Sequence, residues 1–198
     1  MENQIRDFIV STPENMKSAI IVANSLEQAK IKIQYMFWKF LKEEFENKGI
    51  NIVGENNNEA ISWQTITNYY QKSRNNKYYG LWYKIFQKQN ITVHYGIEIN
   101  HNIYYGFTIE KDGKGGISNN EEFEKIRLYI KRIDENYQNN QWWLGWKHTV
   151  PLLNFREFNS ENVFNLADRN YLKRTVNDIV ENSIQDIRIL QNELDKIL

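Results

Sequence analysis

The residues best suited to bond-breaking chemistry in this chain are few. Metal-assisted phosphodiester hydrolysis needs an acid on one strand and an acid-x-Lys on the next, so that carboxylates hold the ion and the lysine orients the attacking water. The nearest arrangement is Glu98 followed downstream by Asp112-Gly113-Lys114. Asp112 falls in the glycine-rich run Lys111-Asp112-Gly113-Lys114-Gly115-Gly116, whereas such chemistry needs rigid positioning. With 25 acidic and 25 basic residues in 198, spacings of this kind arise by chance. His94 and Glu98 alternate onto one strand face at i and i+4, roughly 13 Å apart, too far to share one ion directly. His101 and His148 stand apart, and no HExxH, G-x-S-x-G elbow or phosphate-binding glycine loop occurs. Cysteine is absent, which removes thiolate zinc sites, disulfides and thiol nucleophiles. The expectation is therefore no catalytic residue, no metal and no cofactor.

Rings and local charge are the more unusual feature. Aromatic residues make up 14% of the chain and come in clusters: Tyr69-Tyr70, Tyr78-Tyr79, Trp82-Tyr83, Tyr104-Tyr105 and Trp142-Trp143 with Trp146. Lys72, Arg74, Lys77, Lys84 and Lys88 form a basic stretch free of acids between Gln71 and Gln89. Two kinds of surface use such residues. Single-stranded nucleic acid stacks its bases on rings interleaved with Lys and Arg. A protein partner favours Trp and Tyr with less need of positive charge. A formal net charge of zero favours the protein partner, because phosphate-coating domains carry a basic surplus. The candidate contact residues are Lys72, Arg74, Lys77, Tyr78, Tyr79, Trp82, Lys84, Lys88, Tyr104, Trp142, Trp143 and Trp146, the remaining rings being expected to fill a core.

Those side chains must be positioned by a mixed set of elements. Thr12 and Pro13 have the form of a helix start, and Met16, Ala19, Ile20, Ala23, Leu26, Ile33, Phe37, Phe40, Leu41 and Phe45 recur at helical spacing up to Gly49. One helix over 13–48 would measure ~54 Å against a globule of ~40 Å, so a break is expected at the capping box Ser25-Leu26-Glu27-Gln28. Residues 50–53 suggest a short strand, and 61–71 is ambiguous between helix and strand. Three runs, 79–87, 91–99 and 103–110, alternate strictly and predict an antiparallel meander. A three-residue loop at 100–102 would set Val93 against Ile109, Tyr95 against Phe107, Ile97 against Tyr105 and Gly96 against Gly106. Two opposed glycines leave a notch for a ligand or, more commonly, for one of the protein's own rings or helices. Ser118-Asn119-Asn120-Glu121 reads as a second capping box, opening a helix striped by Phe123, Ile126, Ile130, Ile133 and Tyr137. The last segment, from Ser160, is helical, with a break expected near Asp168 to Asn170. Without repeats or a linker rich in Gly, Ser or Pro, the chain reads as a single α+β domain over 1–198: an antiparallel three- to four-stranded meander packed with N-terminal, middle and long C-terminal helices.

The texture of 79–146 resembles the C-terminal accessory region of uncharacterised restriction-like proteins of the PD-(D/E)XK nuclease superfamily. The residues that carry it are Tyr79-Gly80-Leu81-Trp82-Tyr83, the hairpin from Ile97 to Glu110 with Tyr105-Gly106, and Trp142-Trp143-Leu144-Gly145-Trp146-Lys147. In that family the nuclease core lies upstream, and no matching core occurs here. The resemblance implies an accessory module without its catalytic half.

An N-terminus without an apolar signal region and the lack of any membrane-length apolar run lead to the expectation of a cytoplasmic protein with no membrane partner. The 27 Asn and 25 Ile look like the codon bias of an AT-rich bacterial or phage genome. Such a chain suits a non-enzymatic protein-binding module or inhibitor in a defence or counter-defence system, of the anti-CRISPR type. Its partner would be another protein such as a nuclease or CRISPR effector. A nucleic-acid-binding accessory domain and a divergent metal nuclease are the alternatives.

Overall fold

In the computed structural model, which describes residues 2–50, 61–71 and 79–198, Thr12 and Pro13 do begin a helix. The Thr12 hydroxyl oxygen accepts from the backbone N–H of Asn15 at 3.1 Å, and Pro13 occupies the first turn, where its missing N–H is harmless. Before it stands a helix absent from the expectation, α1 (Glu2–Ile9), tied on by Asn15 Nδ2 donating to the Phe8 carbonyl at 3.0 Å.

The helix α2 runs unbroken over Pro13–Asn47, which corrects the expected break at Ser25. Ser25 donates its hydroxyl to the Ile21 carbonyl at 2.8 Å, so it is satisfied without leaving the helix. The helix can be longer than the globule is wide because its N-terminal half lies outside the packed core. No residue of α2 before Ile31 is buried, and the N-terminal half projects from the body. Beyond Lys48 the chain turns at Gly49, whose φ of +80° suits a residue without a Cβ. The strand suggested for 50–53 falls, apart from Ile50, outside the described residues.

Residues 61–71 resolve as helix α3 (Trp63–Tyr70), capped by the Ser62 hydroxyl on the Thr65 N–H at 3.0 Å. The meander is β1 (Tyr79–Lys88), β2 (Ile91–Ile99) and β3 (Ile103–Lys111), joined at its far edge by β4 (Gly145–His148) in the antiparallel order β1-β2-β3-β4. The four pairings set out above for β2 and β3 all occur. Between Lys84 and Phe86 the β1–β2 register slips at a bulge, which lets Ile85 and Phe86 both reach the core.

Period-two alternation then divides the sheet. Leu81, Tyr83, Val93, Tyr95, Ile97, Tyr105 and Phe107 are buried on one face, where the C-terminal half of α2 and the long helix α6 (Arg169–Ile197) pack on them. Phe45 of α2 stacks on Tyr83 at 4.5 Å between centroids. The break before α6 is as expected: a one-turn helix α5 (Glu161–Phe164) and a 3-10 turn end at Asp168, whose carboxylate accepts from the N–H groups of Asn170 and Tyr171 at 2.8 Å.

The capping box expected at Ser118 does not form. A 3-10 turn over Glu121–Phe123 leads into α4 (Glu124–Ile133), no side chain caps the turn, and Arg127 Nη1 instead donates to the carbonyls of Ser118 and Asn120. Phe123, Ile126 and Ile130 are buried as their spacing predicted, while Tyr137 is buried beyond the helix end. The result is an α+β architecture with one sheet face covered by helices and the other open. Among the described residues no helix is long and apolar enough to cross a membrane.

Candidate functional site: an aromatic groove on the open face

The alternation that buries one set of rings turns a second set outward. Pairing across the four strands sets Trp82 beside Gly96, Gly96 beside Gly106, and Gly106 beside Trp146. A row of two glycines flanked by two tryptophans makes a trough. The adjoining row carries Glu98, Tyr104 and His148, and on the other side lie Lys84, His94 and Thr108.

The notch at Gly96 is filled by the protein itself, as the commoner reading had it: a Cβ there would lie 2.4 Å from the Trp82 ring. At Gly106 the neighbour is backbone, since a Cβ would lie 2.0 Å from the Gly145 carbonyl oxygen. The glycines thus let Trp82 lie down on the sheet and let β4 approach β3 closely. Above them the face remains concave, a groove of about 1010 Å³.

The segment preceding β4 closes one wall. The Asn140 side-chain oxygen accepts from the backbone N–H groups of Trp142 (2.8 Å) and Trp143 (3.0 Å), and Leu144 N–H donates to the Phe107 carbonyl at 2.8 Å. This pins Trp143 into a stack on Trp82, with centroids 5.4 Å apart and planes at 28°. Tyr104 meets Trp143 edge-on at 5.6 Å and Trp146 at 5.8 Å, and Trp146 continues to His148 at 5.3 Å. Trp143 is almost wholly covered, whereas Trp142 is 58% exposed at the rim against Gly116. The floor is therefore a continuous ring network with one ring left standing open.

Polar groups share the lining with the rings, among them three histidines, three asparagines, Thr108 and two glutamates. The Glu98 carboxyl is pushed up by burial, opposed by the hydrogen bond it accepts from the Tyr104 hydroxyl. Burial pushes the His94 imidazole down, with Glu110 opposing and Lys84 assisting. Burial thus works against charge on both side chains without removing their capacity to take it up. Among the described residues lining the groove the acids are Glu98 and Glu110, and none is Lys or Arg.

Five candidate contact residues, Trp82, Tyr104, Trp142, Trp143 and Trp146, converge here. Others do not. Tyr79 is corrected to a core residue, packed on Trp38 at 5.6 Å and Tyr69 at 5.9 Å, because odd positions of β1 face the helices. Lys88 is drawn to the C-terminal end of α6, donating to the Asp195 carbonyl at 3.0 Å, where helix-end carbonyls attract a cation. Lys84 is exposed beside His94 and donates to Gln87 at 3.1 Å. Lys72, Arg74, Lys77 and Tyr78 lie outside the described residues.

The acid-x-Lys arrangement does not assemble. Glu98 pairs with Tyr104 at one end of the β2–β3 hairpin, while Asp112 follows Lys111, the partner of Ile91, at the other, seven residues or ~23 Å away. Asp112 accepts from Asn90 Nδ2 at 2.9 Å and serves the turn. Among the described residues no group of three or more His, Cys, Asp or Glu is placed to hold a metal ion. The sequence reading missed that Asn140 and Gly116 shape a wall, and that Trp146 shares a row with Gly106; the second was recoverable once 145–148 was read as a strand.

Behind the groove, Lys147 points inward from β4 and ties three elements together. Its ammonium donates to Asp134 and Asp186 at 2.8 Å each, lies 4.3 Å from the Tyr137 ring centroid, and shares Asp186 with the Tyr137 hydroxyl at 2.7 Å. Burial opposes the charge on Lys147, yet the hydrogen bonds to both carboxylates hold it above its ordinary value.

Comparison of the chain with protein-family models, with curated proteins and with solved structures gives no significant match.

Proposed function

We propose that this protein is a non-enzymatic binding module whose aromatic groove receives an extended segment of a partner protein, one bearing Arg or Lys among apolar side chains. The observation that carries the reading is the make-up of the groove: stacked and edge-on rings, an exposed Trp142, and Glu98 and Glu110 as its charged groups among the described lining residues. Rings of this type give large contact area at small entropic cost and are the usual anchors of protein interfaces. The acids supply a counter-charge for a guanidinium or ammonium, which packs on indole faces. A phosphate backbone would meet those same carboxylates unfavourably. The resemblance of 79–146 to an accessory region of restriction-like proteins, and the composition, support a nuclease or CRISPR effector as the partner and inhibition or delivery as the consequence.

A random peptide display library, selected on the full chain and counter-selected on the Trp142→Ala/Trp146→Ala double variant, tests the reading. The expected result is enrichment of sequences that pair an aromatic or aliphatic residue with Arg or Lys, dependent on both tryptophans. The contrary result is no enrichment together with binding of an oligothymidine strand that weakens steeply with salt, the signature of phosphate contact.

A further inference from the structure

The two carboxylates of the groove stand at its opposite ends. Glu98 pairs with Tyr104 beside the 100–102 loop, whereas Glu110, six residues further along β3, pairs with Thr92 next to the turn that carries Gly115 and Gly116. At ~3.3 Å per residue the two positions lie ~20 Å apart, and six is an even number of strand steps, so both belong to the open face. Between them run the row of Trp82, Gly96, Gly106 and Trp146 and the row of His94 and Thr108. Among the described residues neither acid forms a salt bridge within the chain, and Lys84, in the row of His94, is exposed and donates to Gln87. From this spacing we infer that the groove selects two cationic side chains six residues apart in one extended partner segment, one for Glu98 and one for Glu110. The inference rests on the groove being a protein-binding site and names what that site recognises.

An extended chain repeats its side-chain direction every second residue, so positions i, i+2, i+4 and i+6 face the floor together, with i and i+6 ~20 Å apart. A spacing of five turns one cation to solvent, and a spacing of four leaves one carboxylate unmet. The groove also has the width of a strand. Its volume of about 1010 Å³ spread over ~20 Å gives a cross-section of ~50 Å², close to the ~4.8 by ~10 Å of one extended chain and below the ~80 Å² of a helix. Each end sets a ring beside its acid. Tyr104, bonded to Glu98, meets Trp146 at 5.8 Å, and Trp142 stands 58% exposed against Gly116. A guanidinium can therefore meet a carboxylate and an aromatic face together. Counted from the Glu98 end, position i+2 lies over the tryptophan row, which suits an apolar side chain, and i+4 lies over His94 and Thr108, which suit a polar one.

Fluorescence anisotropy of labelled nine-residue peptides added to the full chain reads the spacing. The peptides share one composition, with two arginines, a leucine two positions after the first, and serine and glycine elsewhere; the arginines stand four, five or six positions apart. The six-spaced peptide is expected to bind at least about tenfold tighter than the other two. Glu98→Gln and Glu110→Gln are each expected to weaken it about tenfold and bring it level with them, the far-UV spectrum staying unchanged as the control for folding. A six-spaced peptide that binds no tighter than the others overturns the inference, and so does a preference that survives both substitutions. The inference falls alone when library-selected sequences bind through Trp142 and Trp146 while the spacing series stays flat or silent. Where those sequences also fail to bind, the binding-module reading falls with it.

Discussion

The two faces of the sheet carry rings at the same period from the same strands, yet one is sealed and the other open. On the sealed face Tyr83, Tyr95 and Phe107 meet α2, α6 and one another, and none is exposed. On the open face Trp82 and Tyr104 meet Trp143 of the segment before β4, and Tyr104 meets Trp146 of β4. What separates them is the presence of helices on one side and a Trp-Gly-Gly-Trp row on the other. Ring content alone therefore says little; the parity of a residue in its strand decides whether its ring is sealed against the helices or left on the open face.

Substitutions should split along that line. The largest effect is expected from Phe107→Ala on the sealed face, a loss of about 3–5 kcal/mol in urea unfolding, because a fully buried ring leaves a cavity. Next comes the seam between the faces. Asp186→Asn removes the charge that Lys147 and Tyr137 both engage, at an expected cost of about 3 kcal/mol by the same measurement. Gly96→Ala drives a Cβ to 2.4 Å from Trp82 and is expected to cost about 1–3 kcal/mol while disturbing the Trp82–Trp143 stack, seen as a change in near-UV circular dichroism. At the rim, Trp142→Ala is expected to leave stability within about 0.5 kcal/mol yet weaken a groove-selected peptide at least about tenfold in calorimetry.

The smallest effect concerns pH. Burial raises the folded pKa of Glu98, so its contribution is fully present below the unfolded value near 4.5 and is lost as pH rises through the folded value. Glu98→Gln should therefore be more stable than wild type at neutral pH, with the advantage vanishing as pH falls below the unfolded value. An advantage that persists in acid would contradict the burial of that carboxyl.

Much of this contrast was legible from residue order. Strict alternation in 91–99 and 103–110, with a three-residue loop, specifies the register to the residue, because a slip of one would turn Tyr95 and Phe107 to solvent. Asp168 and Thr12 cap their helices with their own side chains, a local interaction that needs no tertiary context. Other features depend on partners distant in sequence. Ser25 and Ser118 have the residue types of helix starts, but one bonds back within α2 and the other is bypassed by Arg127. The groove was half visible: the paired glycines and tryptophan cluster stood out, while the wall around Asn140 and the turning of Lys88 toward Asp195 arise only once β4 and α6 are docked.

If the open face does the binding, six tryptophans allow it to be read ring by ring. In a nitrogen-15 spectrum each indole N–H gives one signal, assigned by single Trp→Phe variants. On adding a groove-selected peptide, the signals of Trp82, Trp142, Trp143 and Trp146 should shift, while Trp38 in the core and Trp63 on α3 stay in place. Shifts at Trp63 with the four groove indoles unmoved would contradict the account.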